Sequence, residues 1–431
     1  MILTRVSHLS VAVLGFLVIS EDISAAEPIR PLAQDFVVIY ESPDAKTIYT
    51  YSPGLCRMPN GRLIATLDLG GPGVKNLPGP IGERLGKPCQ CKTFTSDDHG
   101  RTWTHRADLP MLHATPFLAE DTLYLLGHAG DLAISRSDDD GETWSSPAKL
   151  TEDQIWTGHA HNVVCANGCV YVPMERYTRG RFNWAELAPV LMRGRLGDDL
   201  TQRENWTFAE ELTFEKAVNA SDIHYMGVPF YRGRIGWLEP NVVHFDDPDH
   251  IWHDPTGKTF HLWLRAHTNG NGYAAVAKVV EQGDQPGTGP MITTLEKAPS
   301  GQTMVYLPCP GGQIKFNIQY DEKTKLYWLL SSQPTDGMVR RDRMSKDRFN
   351  LPYDERHRLQ LHFSRNCTDW CFAGLVAKTD NPRQARHYAT MVIDGDDLHI
   401  LSRSGDERAK SAHDGNIITF HTVHDFRDLV Y

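Results

Sequence analysis

Two glutamates lie at apolar strand segments, Glu175 next to Arg176 at the end of one segment and Glu239 between apolar residues in another. Glu175 follows the apolar run "VYVPM", and Glu239 lies inside "WLEPNVV". A carboxyl group among apolar residues either has a buried ionic partner or has a raised pKa that suits acid–base work. We therefore take Glu175 and Glu239 as a candidate catalytic pair. A structural salt bridge is the alternative for each of them.

Several cationic side chains interrupt or end apolar strands. A guanidinium group can hold a carboxylate through two parallel hydrogen bonds, so these side chains are candidates for binding a negatively charged substrate. Pairing with a structural carboxylate is the alternative for each. The candidate binding residues are Arg57 in "GLCRMPNGRL", Arg176, the adjacent Tyr177, Arg265 in "HLWLR", Lys315 in "QIKFNI" and Arg403 in "HILSRS".

Histidines supply a second kind of candidate chemistry. "HDGN" joins His413 to Asp414, and a histidine held by a carboxylate can act as a general base. An Asx-turn beside a surface histidine is the alternative for this pair. "TGHAHNVV" places His159 and His161 on one side of a strand, but a metal site there needs a third ligand that the sequence does not identify. We predict no metal site.

Short strands must position these residues. Apolar or alternating runs such as "TLYLLGH", "DLAISRS", "CVYVPME", "TFHLWLRAH" and "DLHILSRS" are each bounded by Gly, Asp, Asn or Pro. No long stretch has a helical apolar period. The Gly/Pro-rich residues 69–88 and the charged residues 333–358 are expected to be long loops, which are often functional.

One eight-residue segment occurs twice. "SDDHGRTW" (96–103) returns as "SDDDGETW" (137–144), with the starts 41 residues apart in the printed sequence. Asp98 and Asp139 are placed to accept backbone hydrogen bonds in a tight turn, and Gly100 and Gly141 allow a positive φ. The repeat therefore predicts a structural turn rather than a catalytic site.

Repeated short strands at this spacing predict an all-β fold, a β-propeller of four-stranded blades. At roughly 45–60 residues per blade, the chain favours six blades over seven. A set of β-sandwich domains explains the strands but not the repeat.

The repeated segment resembles the Asp-box of the sialidase superfamily. "LGDDLTQRENW" (196–206) and "FSRNCTDW" (363–370) look like eroded copies. "GWLEPNVV", "PGGQIKFNIQYDEKTKLYW", "DGDDLHILSRS" and "HDGNIITFH" resemble bacterial exported sialidase-like proteins that act on polysaccharides. The resemblance implies that the box lies between the third and fourth strands of a blade, away from the active site.

The resemblance also implies a set of site residues. Sialidases use a Tyr–Glu nucleophile pair, an Asp acid/base and three Arg that hold the substrate carboxylate. Arg57, Arg265 and Arg403 are the candidates for the three Arg, and Tyr177 or Tyr273 for the Tyr. In "LCRMPNG", Met58 follows Arg57 where the family has Ile.

Three functions remain open from the sequence. The first is a sialidase-type glycoside hydrolase acting on an acidic glycan. The second is a polysaccharide lyase that cleaves next to a uronate by β-elimination, and the third is a glycan-binding propeller without catalysis. We expect an oligo- or polysaccharide partner and no organic cofactor, because no phosphate-binding Gly loop opens a helix after a strand.

Composition and termini limit the remaining possibilities. Arg5, the apolar run "VAVLGFLVI" and "SAA" predict a secretory signal over residues 1–26, followed by the propeller domain over 27–431. We expect a secreted or periplasmic monomer with no membrane span.

The net charge of −10 argues against nucleic-acid binding. Eight cysteines suit an oxidising compartment, with bridges predicted for Cys165–Cys169 and Cys367–Cys371.

Overall fold

A computed structural model describes most of the chain. It covers residues 29–179, 183–218, 236–268, 271–335, 355–381 and 384–431, with the single residues 337, 339 and 343. The predicted signal over 1–26 and most of the predicted loop 333–358 lie outside the described residues. Pro31–Tyr431 forms one unit.

Within this unit the strands form six antiparallel blades around a central channel. Segments rich in Leu, Ile, Val and aromatic residues form these strands, because such side chains pack well on a pleated surface. The first part of the chain contains β1 (Val37–Glu41), β2 (Tyr49–Arg57), β3 (Leu63–Gly70), β4 (Gly82–Arg84), β5 (Lys87–Ser96), β6 (Thr104–Leu109), β7 (Leu112–Ala119), β8 (Thr122–Ala129), β9 (Asp131–Ser137), β10 (Ala148–Lys149), β11 (Trp156–Thr157), β12 (Val164–Ala166), β13 (Cys169–Tyr177), β14 (Leu187–Arg195) and β15 (Trp206–Phe208).

The second part continues the same pattern. It contains β16 (Trp237–Val243), β17 (Thr259–Ala266), β18 (Tyr273–Glu281), β19 (Met291–Thr294), β20 (Glu296–Lys297), β21 (Thr303–Met304), β22 (Tyr306–Pro308), β23 (Asn317–Asp321), β24 (Leu326–Ser331), β25 (Arg358–Ser364), β26 (Cys371–Lys378), β27 (Arg386–Asp394), β28 (Asp397–Ser404) and β29 (Ile417–Val423). The strands predicted from the apolar runs are all present.

The blades follow one another along the chain. Blade 1 is β2-β3-β5-β6, blade 2 is β7-β8-β9-β10, and blade 3 is β11-β13-β14-β15. Blade 4 is β16-β17-β18-β19, and blade 5 is β23-β24-β25-β26. Blade 6 is β27-β28-β29-β1, so the first strand of the chain completes the last blade. The prediction of a six-bladed all-β propeller is confirmed.

Helices contribute little to the described chain. The one described α-helix is α1 (Phe214–Ala217), and single 3₁₀ turns occupy Val74–Asn76, Trp184–Glu186, Arg203–Asn205 and Phe426–Leu429. Among the described residues, no helix has the length and apolar character needed to cross a membrane.

Each junction between neighbouring blades has its own apolar cluster. Trp328 of blade 5 packs with Met391 and Ile400 of blade 6, and Leu63 of blade 1 packs with Phe420 of blade 6. Each such fully buried side chain contributes roughly 1.5–3 kcal/mol. The core is therefore distributed around the ring.

Asparagines near the channel connect neighbouring blades at three successive junctions. In each case the Asn Oδ1 accepts a hydrogen bond from a backbone N–H in the first strand of the next blade. The pairs are Val242 N to Asn162 (2.8 Å), Ile318 N to Asn241 (2.9 Å) and Met391 N to Asn317 (3.2 Å). These bonds fix the position of one inner strand relative to the next.

The repeated segment forms the predicted turn. Asp98 accepts hydrogen bonds from Thr102 N at 2.9 Å and Thr102 Oγ1 at 2.6 Å, while Gly100 N donates to Ser96 Oγ at 2.9 Å. The turn at Asp139 repeats this pattern, with matching bonds from Thr143. The two turns join β5 to β6 and β9 to β10, which are the third and fourth strands of blades 1 and 2.

The two eroded copies occupy the same place in other blades. Residues 196–206 join β14 to β15 in blade 3, and residues 363–370 join β25 to β26 in blade 5. In the first copy Asp199 still accepts a hydrogen bond from Thr201 N at 3.0 Å. The repeat thus follows the blade architecture.

Two structural expectations need correction. Residues 69–88 are not a plain loop, because β4 pairs with the start of β5 and brings Arg84 over the channel.

All eight cysteines are described, and all are free thiols. Ala166 lies opposite Cys169 across the β12–β13 turn, so Cys165 faces the other side of the hairpin. Cys367 and Cys371 also stay unpaired.

Candidate functional site

One end of the channel opens into a cavity of about 850 Å³. Its wall includes residues from the first strands of several blades, among them Tyr51 on β2, His113 on β7, Glu239 on β16 and Tyr388 on β27. The cavity therefore collects side chains that lie far apart in the sequence.

Four of the first strands carry a β-bulge at this end. The register shifts between Tyr51 and Gly54, Leu112 and Thr115, Leu238 and Asn241, and His387 and Thr390. Within three of these bulges, His113, Glu239 and Tyr388 have φ of +56°, +57° and +49°. Non-glycine residues rarely adopt this conformation, and such outliers cluster at functional sites. Here the bulge turns each side chain towards the channel.

His159 is the common neighbour of the bulged residues. Its Nε2 lies 2.8 Å from Glu239 Oε1, and its Nδ1 contacts Ser52 Oγ. Its ring lies 4.4 Å from the His113 ring and 4.7 Å from the Tyr388 ring, centroid to centroid. Burial lowers the pKa of His159 to about 4 despite the Glu239 charge, so the imidazole is neutral near pH 7.

Glu239 is buried among partners that favour its charge. Tyr388 Oη donates to Glu239 Oε1 at 2.7 Å, and Arg265 Nη1 lies 3.3 Å from the same oxygen. Burial alone would raise the pKa of the Glu239 carboxyl, but the Arg265 charge and the His159 contact outweigh it. The pKa of Glu239 is therefore held well below its usual range.

Glu175 lies beside Glu239 and has the opposite protonation state. Its Oε2 accepts a hydrogen bond from Glu239 N at 2.5 Å. Burial first, and then the charge of Glu239, raise the pKa of Glu175 to about 8. A neutral carboxyl has one O–H donor and can still accept this hydrogen bond. The predicted pair thus meets in the cavity as one neutral and one ionised carboxyl.

His413 and Asp414 form a second pair at the cavity wall. His413 Nδ1 lies 2.7 Å from Asp414 Oδ1, and Tyr51 Oη donates to the same carboxylate at 2.9 Å. Arg403 contacts the carbonyl of His413 and places its guanidinium 4.2 Å from the Tyr51 ring. Burial and the Arg403 charge lower the pKa of His413 to about 4.

Four of the six candidate binding residues lie in the wall of this cavity or close to it. Tyr177 and Arg403 line it, and Arg265 pairs with Glu239. Lys315 is buried nearby and donates to Ala389 O at 2.5 Å. Burial lowers the pKa of Lys315 to about 7.

The structure does not bring Arg57 or Arg176 to the cavity. Arg57 lies six residues beyond Tyr51 on β2, about 20 Å along the strand, and pairs with Asp394 at 2.5 Å. Arg176 alternates with Glu175 on β13, so its side chain points to the other face. There it forms an ion pair with Glu211.

Sequence reasoning missed Tyr388, whose hydroxyl donates a hydrogen bond to Glu239. Tyr388 lies inside "HYATMVI", and its neighbours His387 and Thr390 do not distinguish it from an ordinary buried strand tyrosine. Three guanidinium carbons surround its ring, those of Arg356 and Arg403 at 5.2 Å and that of Arg265 at 6.0 Å. Tyr273 is not among the described residues that line the cavity.

The cavity offers no obvious cation site. Among the described residues, no three metal-ligating side chains at this cavity bring their donor atoms within 4.8 Å of one another. His161 does not join His159 as a ligand, because its Nε2 accepts a hydrogen bond from His159 N at 3.2 Å.

Comparisons with known proteins identify the fold only. No protein-family model matches the chain, and no curated protein sequence matches it. A solved structure of Trypanosoma rangeli sialidase matches with a TM-score of 0.55 and 14% identity, covering 93% of this chain and 61% of that one. The same sialidase in complex with sialic acid gives a TM-score of 0.52 and 14% identity, with coverage of 93% and 59%.

A protein of unknown function from Dyadobacter fermentans is also similar. Its TM-score is 0.53 at 13% identity, and the match covers 92% of this chain and 99% of that one. This chain spans about 60% of the sialidase chains. At these identities the likeness shows a shared propeller fold.

Proposed function

We propose that this protein is a glycoside hydrolase acting on a glycan that carries a carboxylate. One observation carries the proposal. Two buried glutamates in a single cavity, Glu175 and Glu239, have pKa values shifted in opposite directions. Such a division of protonation states marks an acid and a base within one site.

The proposed reaction assigns a role to each group. Glu175 donates its proton to the glycosidic oxygen as the bond from that oxygen to the anomeric carbon breaks. Tyr388 Oη forms a bond to the anomeric carbon while Glu239 accepts the phenolic proton. Water then attacks the anomeric carbon as the bond from that carbon to Tyr388 Oη breaks, Glu175 takes the proton from water, and Glu239 returns its proton to Tyr388. Tyr nucleophiles are known among glycosidases.

The hydrogen bonds favour Tyr388 as the nucleophile. Its hydroxyl donates directly to the ionised Glu239 carboxylate, and Arg265 Nη1 donates to Tyr388 Oη at 2.5 Å. Burial raises the pKa of Tyr388 to about 12, so the phenol needs Glu239 as a base. This pairing replaces Tyr177 and Tyr273 as the candidate for the Tyr of a sialidase-type pair.

The cations around the cavity favour an acidic sugar. Arg84, Arg403 and Lys410 line it, and Arg403 Nε is buried without a hydrogen-bond partner among the described residues. Guanidinium groups bind carboxylates in a fixed bidentate geometry. The likeness to a sialidase that was solved with sialic acid agrees with this substrate class.

The test is a panel of sialosides, uronate-containing oligosaccharides and neutral glycosides, assayed for reducing sugar. Hydrolysis of an acidic member, lost in Glu239→Gln and in Tyr388→Phe, is the expected result. Tyr388→Phe with wild-type rates would remove Tyr388 from the mechanism. Hydrolysis of neutral glycosides alone would refute the acidic substrate.

Elimination next to a uronate is the second candidate. The neutral His413, held by Asp414 and lying beside Arg403, has the parts of a base next to a carboxylate-binding cation. Ultraviolet absorbance of an unsaturated uronate, lost in His413→Ala, would favour the lyase. Binding without any turnover would favour a glycan-binding propeller.

We also propose that the protein is exported as a monomer after removal of residues 1–26. The apolar run Val11–Ile19 and the small residues after it support this assignment. Mass spectrometry of the protein from the culture medium or periplasm should give an N-terminus at Glu27, and an intact N-terminus would contradict it.

A further inference from the structure

The opposite end of the propeller holds a group of metal-ligating side chains that the proposed reaction does not use. His99 Nδ1 lies 3.1 Å from Asp394 Oδ2, and His399 Nε2 lies 3.3 Å from the same oxygen. All three donor atoms lie within 4.8 Å of one another. We propose that His99, Asp394 and His399 form a zinc site that joins blade 1 to blade 6.

Two of the three donor-atom spacings suit a tetrahedral ion, and the third, from His99 Nδ1 to His399 Nε2, is within 4.8 Å. Zn²⁺ binds His nitrogen and carboxylate oxygen at about 2.0–2.2 Å, so neighbouring ligand atoms around it are about 3.3 Å apart. The two distances to Asp394 Oδ2 match that spacing. Two imidazoles and one carboxylate leave a fourth position for water, and this donor set suits zinc better than magnesium or calcium.

Outer partners hold the ligands in a usable orientation. His399 Nδ1 lies 3.2 Å from Thr422 Oγ1, which can accept a hydrogen bond from Nδ1–H and so leave the Nε2 lone pair available. Arg57 Nε donates to the other oxygen of Asp394, Oδ1, at 2.5 Å. Asp394 can therefore bind an ion through Oδ2 alone. Such outer contacts orient metal ligands in known zinc sites.

Solvent can reach the site from one side. The side chain of His399 is 2% exposed and that of Asp394 is 9% exposed, whereas His99 is 65% exposed. His99 also lines an open cleft of about 340 Å³ together with Asp97, Asp140 and Glu142. Arg62 lies in the same cleft and forms ion pairs with Asp97 and Glu142, so these two carboxylates add no free negative charge beside the exposed ligand.

The repeat shows that an ion here would lie across a junction between two blades. His99 occupies the position of the first turn that Asp140 occupies in the second. Asn60 of blade 1 donates to Asp140 Oδ2 at 3.0 Å, so this position contacts the preceding blade in both turns. In the first turn the preceding blade is blade 6, where the propeller closes. An ion at His99 would strengthen that closing junction.

The test uses tag-free protein that has been dialysed against a chelator. Zinc is titrated in competition with a chromophoric chelator, and Co²⁺ is added separately to record its visible spectrum. We expect one zinc per chain, a higher melting temperature with zinc, and the intense visible bands of tetrahedral Co²⁺. His99→Asn should weaken zinc binding by more than about 100-fold, because even outer-contact mutations cost 10–100-fold.

His99→Asn is chosen because asparagine tolerates the positive φ of this turn, +58° at His99. The control is His424→Asn, since His424 is exposed and contacts a single carboxylate, Asp397, at 3.0 Å. The control should bind zinc as the wild type does. Equal zinc affinity in His99→Asn and wild type, or no zinc bound by the wild type, would show a plain hydrogen-bonded cluster instead. Glycan hydrolysis is not part of the readout.

Discussion

At the scale of single residues, Glu175 and Glu239 show how one side-chain type acquires two roles. Both are buried, and burial raises the pKa of each carboxyl. Glu239 alone has a cation and two hydrogen-bond donors on its carboxylate. The charge that these partners stabilise then keeps Glu175 protonated. The pair is therefore coupled, and each member depends on the other.

Replacing Glu175 by Gln removes the proton donor but retains an oxygen that can accept from Glu239 N. We expect kcat/KM to fall by about 10²–10⁴ for substrates with a poor leaving group. For aryl glycosides that release an acidic phenol, kcat/KM should fall far less, because the phenolate leaves without being protonated. Initial rates with both substrate types measure this. An equal loss on both would contradict an acid role.

The matched control for that experiment is Glu322→Gln. Glu322 lies at the β23–β24 turn, and its side chain is 77% exposed in an ion pair with Lys325. Exposed pairs contribute little to stability. The control variant should keep wild-type rates on every substrate.

The pH profile provides an independent check on Glu175. The acid must be protonated to act, so kcat/KM should fall as the pH rises through about 8. This fall should be absent in Glu175→Gln, whose low residual rate should not change between pH 7 and 9. An unchanged alkaline limb in the variant would assign it to another group.

The same shift affects stability with a definite sign. The folded state binds the Glu175 proton more tightly than the unfolded state, where the pKa is about 4.3. Stability contributed by this proton is present below that value and is lost as the pH rises towards about 8. The melting temperature of the wild type should therefore fall over this pH range relative to that of Glu175→Gln.

The sequence identified the glutamates because each interrupts an apolar run. It could not identify Tyr388, because a tyrosine in an apolar strand is ordinary and its partner lies 149 residues away. Arg57 and Arg403 looked alike in the sequence. Only their positions along β2 and β28 distinguish them. Arg57 pairs with Asp394 at the opposite end of the channel, whereas Arg403 lines the cavity.

At the scale of elements, the turns and bulges have different tasks. The repeated turns use Asp, Gly and Thr to connect outer strands, and the sequence predicts them because each residue acts locally. The bulges that aim His113, Glu239 and Tyr388 have no such local signature. They depend on how each inner strand pairs with its neighbour.

The turn at Gly100 allows a test of how tightly it packs. Gly100 has φ +83°, and an added Cβ would lie 2.1 Å from the Phe420 ring. Gly100→Ala should cost about 2–4 kcal/mol, combining left-handed strain with overpacking. Gly301→Ala is the control, since Gly301 has φ +82° and nothing within 4 Å. It should cost only about 1–2 kcal/mol. Urea unfolding measures both, and equal losses would mean that the ring contact has no effect.

At the scale of the whole molecule, the fold follows from repetition. Strands, turns and blade spacing gave six blades from the sequence, because each blade repeats one local pattern. The closing strand could not be predicted, since β1 pairs with β29 across almost the full length of the chain. Contacts of this kind have no signal in a local window. The ring of junctions nevertheless depends on this strand.

The closing strand supplies the last prediction. Ile39 on β1 is 8% exposed and packs in the cluster between blades 6 and 1, whereas its neighbour Val38 is 44% exposed. Ile39→Ala should lower the free energy of unfolding by about 2–4 kcal/mol, and Val38→Ala should change it by less than about 0.5 kcal/mol. A closed ring has no free blade, so loss of packing at one junction should weaken all six together. The urea midpoints from far-ultraviolet circular dichroism and from tryptophan fluorescence should therefore shift by the same amount in Ile39→Ala. A separate early transition in circular dichroism alone would mean that blade 6 opens independently of the rest.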